Sequence, residues 1–162
     1  MNKLELLTLL HAHELPQCWD QPTPDDLASI LGTFPLFSGV SRRRLRGLVS
    51  NATLAEFAPG ETIISPGDQG DVLYIILAGH AKATSSRISQ VFRTGDYFGE
   101  VAMIDGHAGS LNIAAMSYVQ VMKFPSRAVL NLARRHPAIT ITMLENLTAR
   151  LRGRETQAAR AA

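Results

Sequence analysis

The chain has 162 residues, 46% hydrophobic and 19% charged, which suits one domain with a real core and short appendages and excludes a disordered or fibrous chain. Its formal net charge of +2 is too small an imbalance to imply a nucleic-acid partner by itself. The single cysteine, Cys18, excludes an intramolecular disulfide and suits a reducing, cytoplasmic setting, and no apolar run approaches the roughly eighteen residues of a membrane span.

Residues 1–15 read as an amphipathic helix rich in leucine, because Glu5, the histidines and the lack of a small-residue cleavage site count against a signal peptide. His11, His13 and Cys18 offer zinc-type donors, but histidines on a leucine-rich helix are ordinarily solvent-facing, and no metal is expected. Pro16, Pro22 and Pro24 end this element. "TPDDLASILGTF" starts a short helix with Thr23 as N-cap, Pro24 at the first helical position and Asp25 and Asp26 at the positive end of the dipole. Pro35 ends it, and "SGVSRRRLRGLVSNA" supplies another helix with Ser41 as its cap. The basic runs "SRRRLRGL" and "RLRGR" carry apolar residues at helical spacing and no aromatic interleaving, as expected of solvated helix faces rather than a nucleic-acid surface.

From 53 to 124 short apolar segments alternate with turn signals such as "SPGDQGD" and "RTGD", the pattern of an all-β roll or barrel. The run 71–78 is apolar on both alternating faces and reads as a central strand covered on both sides. Within this region "GDYFGEVAMIDGHAGSLNIAAM" (95–116) is rich in glycine and small residues that let a backbone approach a ligand. It contains Glu100, an acceptor-only carboxylate suited to reading hydroxyls, and no Lys or Arg.

After Phe124 the period is helical again. "PSRAVLNLARRH" is one helix and Pro137 opens the last, which runs to about 153. Its residues Ile139, Met143, Leu144, Leu147 and Leu151 span an arc of about 140°, with Ile141 and Thr148 at the margin. One contact surface needs less, so the helix is expected to meet both the roll and a second copy of itself through Ile141, Leu144, Leu147 and Leu151.

"PLFSGVSRRRLRGLV", "FAPGETIISPGDQGDVLYIILAGHAKA" and "GDYFGEVAM" together resemble the cyclic-nucleotide-binding domain, most nearly its catabolite-activator (CRP-FNR) branch. Gly60, Gly67, Gly70, Gly79, Gly95 and Gly99 match turns of that family's pattern in order. The resemblance implies an α+β fold: an eight-stranded β-roll, a jelly-roll-like double-stranded β-helix, flanked by N-terminal helices and a C-terminal helix pair. It divides the chain into a helical extension (1–33), the roll (34–125) and the C-terminal helices with the dimer helix (126–162).

In such domains the phosphate-binding cassette opens on Phe-Gly-Glu, here Phe98, Gly99 and Glu100. The resemblance implies that Glu100 accepts a hydrogen bond from a ribose 2′-hydroxyl and that backbone amides of Gly99, Val101 and Ala102 face the ring. The family's cassette closes on a phosphate-pairing arginine followed by small residues. Ungapped counting puts Gly109 there, followed by Ser110, Leu111 and Asn112, so the cation is absent. Arg87 and Arg93, on the hairpin "SSRISQVFR", and His107 are the candidate substitutes, and the match to base-contacting residues falls near Arg154 and Glu155.

No nucleophile elbow, P-loop or Ser-His-Asp set is present, so no enzymatic activity is expected. Helix-turn-helix DNA reading is not expected either, because nothing after the dimer helix has room for it. Two readings stand. One is a regulatory sensor that binds cyclic AMP, cyclic GMP or a cyclic dinucleotide weakly or in a non-standard way, with Arg150 and Arg154 serving the larger anion. The other is a ligand-free roll kept as a dimerisation and protein-interaction module.

Overall fold

In the computed structural model, which describes residues 22–85 and 88–161, helix α1 (Pro24–Leu31) begins where Thr23 and Pro24 place it. The helix expected at 1–15, its His11, His13 and Cys18, and Arg87 lie outside the described residues. Thr23 and Asp26 form a reciprocal capping box: the Thr23 hydroxyl accepts from the Asp26 amide at 3.2 Å, and the Asp26 carboxylate accepts from the Thr23 amide at 3.1 Å. The Thr23 hydroxyl also donates to the Asp26 carboxylate at 2.7 Å, and this bond, with that from the Thr23 amide, holds the Asp26 carboxyl below the usual carboxylate range. Helix α2 (Arg42–Val49) buries Leu45, Leu48 and Val49 and leaves its arginines exposed, with Asp25 at 3.4 Å from both Arg42 and Arg46. Ser41 sits at the N-cap position, yet its side chain makes no capping bond there. Its carbonyl accepts from Arg44 and Leu45, so Ser41 is the expected cap residue and caps through its backbone.

The strands are β1 (Thr53–Phe57), β2 (Thr62–Ile64), β3 (Val72–Ala78), β4 (Ala81–Ser85), β5 (Ile88–Phe92), β6 (Tyr97–Phe98), β7 (Asn112–Ala115) and β8 (Val119–Pro125). They form two four-stranded antiparallel sheets, ordered β1-β8-β3-β6 and β2-β7-β4-β5, and these make up the eight-stranded roll of an α+β fold. Strand β3 lies inside its sheet between β8 and β6, and both of its faces are covered. Leu73, Ile75 and Leu77 belong to a core shared with α1, α2 and the C-terminal helices, while Ile76 belongs to a second core between the sheets with Phe92, Phe98, Ile113 and Val121. Strand β6 lies within the glycine-rich stretch 95–116, at a point where no strand is legible from sequence. Two residues are too few to show a period.

Helix α3 (Glu100–Asp105) follows β6, and α4 (Ser126–Arg135) and α5 (Pro137–Ala161) follow β8. Val129, Leu132 and Ala133 of α4 and Ile139 and Met143 of α5 join the first core. Helices from both ends of the described chain therefore rest on one sheet face. No helix among the described residues is long and apolar enough to cross a membrane.

Two glycines fix how closely the cassette approaches the roll. Gly99 has φ +94°, and a Cβ there would stand 2.6 Å from the Val72 carbonyl oxygen. A Cβ on Gly70 would stand 2.2 Å from the Ala102 Cβ, so the β2–β3 loop touches α3 only because residue 70 has no side chain. Overpacking of this kind costs about 1 to 3 kcal/mol. Gly70→Ala is expected to lower the melting temperature by roughly 2 to 12 °C, at about 2 to 4 °C per kcal/mol for a chain of this size. Gly47→Ala, inside helix α2 where an added Cβ meets nothing within 4 Å, is the control and is expected to hold or slightly raise the melt.

Candidate ligand-binding site

The site is assembled around two residues of strand. Tyr97 and Phe98 pair with Ile75 and Tyr74 of β3, which directs the chain along the open edge of that sheet. Gly99 then turns it in the left-handed conformation, and α3 starts at once with Glu100 facing inward, 2% exposed. Gly106, at φ +72°, ends the helix and donates to the Ala102 carbonyl at 3.0 Å. The segment beyond is held to the β2–β3 loop by two backbone bonds: Gly67 donates to the Gly109 carbonyl at 2.8 Å, and Gly109 donates to the Asp68 carbonyl at 3.1 Å.

These elements enclose a cavity of about 490 Å³, within the range of about 300 to 1,000 Å³ typical of small-molecule sites. Phe98, Gly99, Glu100, Val101, Ala102, Gly109, Ser110 and Leu111 all line it, so the structure brings the expected cassette residues together. Its aromatic part is Tyr74, Phe92 and Phe98. Tyr74 and Phe98 stack at 5.2 Å between centroids, and Phe92 tilts against Phe98 at the same separation. Burial, with the Asp68 and Asp71 carboxylates adding to it, pushes the Tyr74 hydroxyl above the usual phenol range.

Helix α5 closes the cavity with Leu147, Arg150 and Leu151. The Arg150 guanidinium forms an ion pair with the Glu100 carboxylate through Nη1 and donates from Nη2 to the Tyr97 carbonyl at 2.8 Å. It also lies over two rings, 5.1 Å from the Phe92 centroid and 5.4 Å from that of Tyr97. Asn146, one turn earlier, donates to the Tyr97 hydroxyl at 2.9 Å. Burial raises the Tyr97 hydroxyl above its usual range, an effect the Asn146 bond partly offsets.

The candidate substitute cations divide. His107 lines the cavity, but its ring is 85% exposed and its Nδ1 stands 3.7 Å from the Asp105 carboxylate. Arg93 is exposed and absent from the lining, and its amide donates to Asp96 in the β5–β6 turn. Leu147 and Leu151, expected in a dimer seam, line the cavity as well, while Ile141 and Leu144 are exposed. The side chains of Arg154 and Glu155 lie outside the described residues. Sequence reasoning did not find Arg150 as the partner of Glu100, because fifty positions separate them and an arginine between leucines looks like any exposed helix charge.

The cyclic nucleotide-binding domain family matches residues 54–136. The chain is similar to the cGMP-dependent protein kinase of Toxoplasma gondii, at 40% identity over 75 residues, 45% of this chain and 8% of the kinase. It is similar also to the cAMP-dependent protein kinase regulatory subunit of Aspergillus niger, at 30% identity over 98 residues, 59% of this chain and 24% of that protein. It therefore spans less than a quarter of the length of either curated relative. Among solved structures, the catabolite activator protein of Thermus thermophilus shares the fold, with a TM-score of 0.64 and 23% identity over 77% of this chain and 62% of that one.

Breaking a buried ion pair from one side leaves an uncompensated charge, at a cost of roughly 3 to 5 kcal/mol. Arg150→Met and Glu100→Gln are each expected to lower stability in urea denaturation. The double variant should lose less than the sum of the two, with a coupling of at least about 1 kcal/mol. Additive losses would mean that the pair does not hold α5 to the cassette.

Proposed function

The chain belongs to the cyclic nucleotide-binding domain family, and we propose that it is a non-catalytic sensor module that reads a ribose through Glu100 and holds a cyclic phosphate only weakly. The observation that carries this reading is Gly109. It stands where the family's cassette has its phosphate-pairing arginine, and it lines the same cavity as the inward-facing Glu100. Loss of a charge-assisted contact to a phosphate costs about 2 to 5 kcal/mol, or roughly one and a half to three and a half decades in affinity.

The remaining donors do not make up the difference. Helix α3 has six residues, too short for a strong dipole, and the Gly109 amide is already bonded to the Asp68 carbonyl. Arg150, a candidate for a larger anion such as a cyclic dinucleotide, is engaged with Glu100 and the Tyr97 carbonyl. A ligand in this cavity touches Leu147, Arg150 and Leu151, so its binding bears directly on α5.

Helix α5 also presents Ile141, Leu144 and Leu151 to solvent, 55%, 58% and 55% exposed, at helical spacings of three and seven. This stripe supports a homodimer in which α5 passes the ligand signal to a second copy. The interaction-module reading shares that dimer and differs only in needing no ligand.

Calorimetry with cyclic AMP and cyclic GMP tests the cassette. The unsubstituted protein is expected to show weak or undetectable binding, and Gly109→Arg a gain of at least about tenfold. Adding Glu100→Gln should remove part of that gain. Position 109 has no left-handed backbone and an added Cβ meets nothing within 4 Å, so the backbone there tolerates a side chain. Tight binding of a cyclic mononucleotide by the unsubstituted protein would refute the weak-phosphate reading.

Ile141→Glu with Leu144→Glu tests the dimer. Both residues are exposed, so the variant should stay folded while sedimentation shows conversion from dimer to monomer at tens of micromolar, roughly the range in which burying unpaired charges dissociates a modest interface. A monomeric unsubstituted protein would remove the proposal.

A further inference from the structure

The charges that line the cavity are unlike those expected around an anion. Asp68, Glu100 and Asp105 contribute carboxylates, and against them stand the Arg150 guanidinium and the exposed ring of His107. The guanidinium is held by Glu100, by the Tyr97 carbonyl and by the faces of two rings, and the His107 ring leans toward Asp105. Asp68 and Asp105 are exposed at the rim, where their carboxylates accept from the Ser65 amide at 2.8 Å and the His107 amide at 2.9 Å. Gly109, where the resemblance implies a cation, brings none, and its amide is taken by the backbone carbonyl of Asp68.

We infer that the preferred ligand of this cavity is an uncharged ribonucleoside rather than a cyclic nucleotide, an inference that rests on the ribose-reading role proposed for Glu100. A phosphate entering here would shed its water beside carboxylates and gain no cation, which is the costliest way to bury a charge. Ribose hydroxyls need only hydrogen-bond partners. A carboxylate has about four acceptor sites on two oxygens, so Glu100 can serve both Arg150 and a hydroxyl. Gln69, Gln90 and Ser110 supply further neutral polar groups, and the Tyr74, Phe92 and Phe98 side of the cavity suits a planar base. The surrounding carboxylates then act as a selectivity device, since specificity can come from unpaired charge set against the wrong ligand as well as from contacts to the right one.

The test is calorimetry of the full chain and of Gly109→Arg with adenosine, guanosine, their 2′-deoxy forms and their 3′,5′-cyclic monophosphates, with a melting curve for each protein. At least one ribonucleoside is expected to bind the unsubstituted protein at least about tenfold more tightly than its cyclic monophosphate, and about tenfold more tightly than its 2′-deoxy form. Gly109→Arg should narrow or reverse the preference over the cyclic compound.

A cyclic monophosphate that binds the unsubstituted protein as tightly as the nucleoside, or more tightly, overturns the inference. A loss for the 2′-deoxy form in that same experiment would keep the ribose-reading role intact. The inference also falls if no nucleoside binds up to millimolar concentration while Gly109→Arg gains a cyclic monophosphate, a result that leaves the proposed sensor standing. Silence from both proteins, each with a cooperative melt, overturns the inference and the ribose-reading role together.

Discussion

A carboxylate at 2% exposure near the middle of the chain must be compensated, and the way Glu100 is compensated organises much of the rest. Removing a carboxylate from water costs several kcal/mol unless an opposite charge and hydrogen bonds accompany it. The opposite charge comes from Arg150 on the last helix, so the cassette and α5 are joined across fifty positions of sequence. Arginine suits the position better than lysine would. Its planar group pairs with Glu100 from one nitrogen, donates to the Tyr97 carbonyl from another, and stacks on Phe92 and Tyr97. Asn146, donating to the Tyr97 hydroxyl, fixes the neighbouring turn of α5 against the same strand.

Holding Glu100 in that place requires close backbone approach. Gly99 lets the chain leave β6 and enter α3 within one residue, against the Val72 carbonyl. Gly70 lets the β2–β3 loop lie against Ala102. The paired bonds between Gly67 and Gly109 and between Gly109 and Asp68 then tie the segment after α3 to the β2–β3 loop. Small residues here set the shape of a site, and the charged ones set what it can hold.

The roll was legible because its signals are local. Alternating apolar segments and turn glycines give seven of the strands, and a run apolar on both faces gives β3 its central place. Strand β6 escaped because two residues carry no period. The motif Phe98-Gly99-Glu100 was visible as a resemblance, and counting from it puts Gly109 where that resemblance implies an arginine. Arg150 was legible as a candidate for a larger anion but not as the partner of Glu100, because no local pattern separates a helix arginine in solvent from one turned onto a buried carboxylate. Periodicity has the same blind spot for Leu147 and Leu151. A wide apolar arc says that something covers the helix, without distinguishing a ligand cavity from a second chain.

That ambiguity has a physical consequence when a ligand enters, because α5 meets the cavity through the very residues that lie beside its exposed stripe. On the proposed reading, a ribose hydroxyl that draws on Glu100 competes for electron density with the guanidinium of Arg150, and the grip on α5 weakens or shifts as the ligand binds. Linkage makes the effect reciprocal. Any contact that steadies α5 with Arg150 on Glu100, such as a second copy against Ile141 and Leu144, must change ligand affinity by the same factor that the ligand changes the contact. Couplings of this kind are typically about 1 to 3 kcal/mol, comparable to a single charge-assisted hydrogen bond. One buried ion pair between cassette and helix is therefore sufficient in size to make the roll a sensor, provided that the ligand's hydroxyl and the Arg150 guanidinium address the same carboxylate.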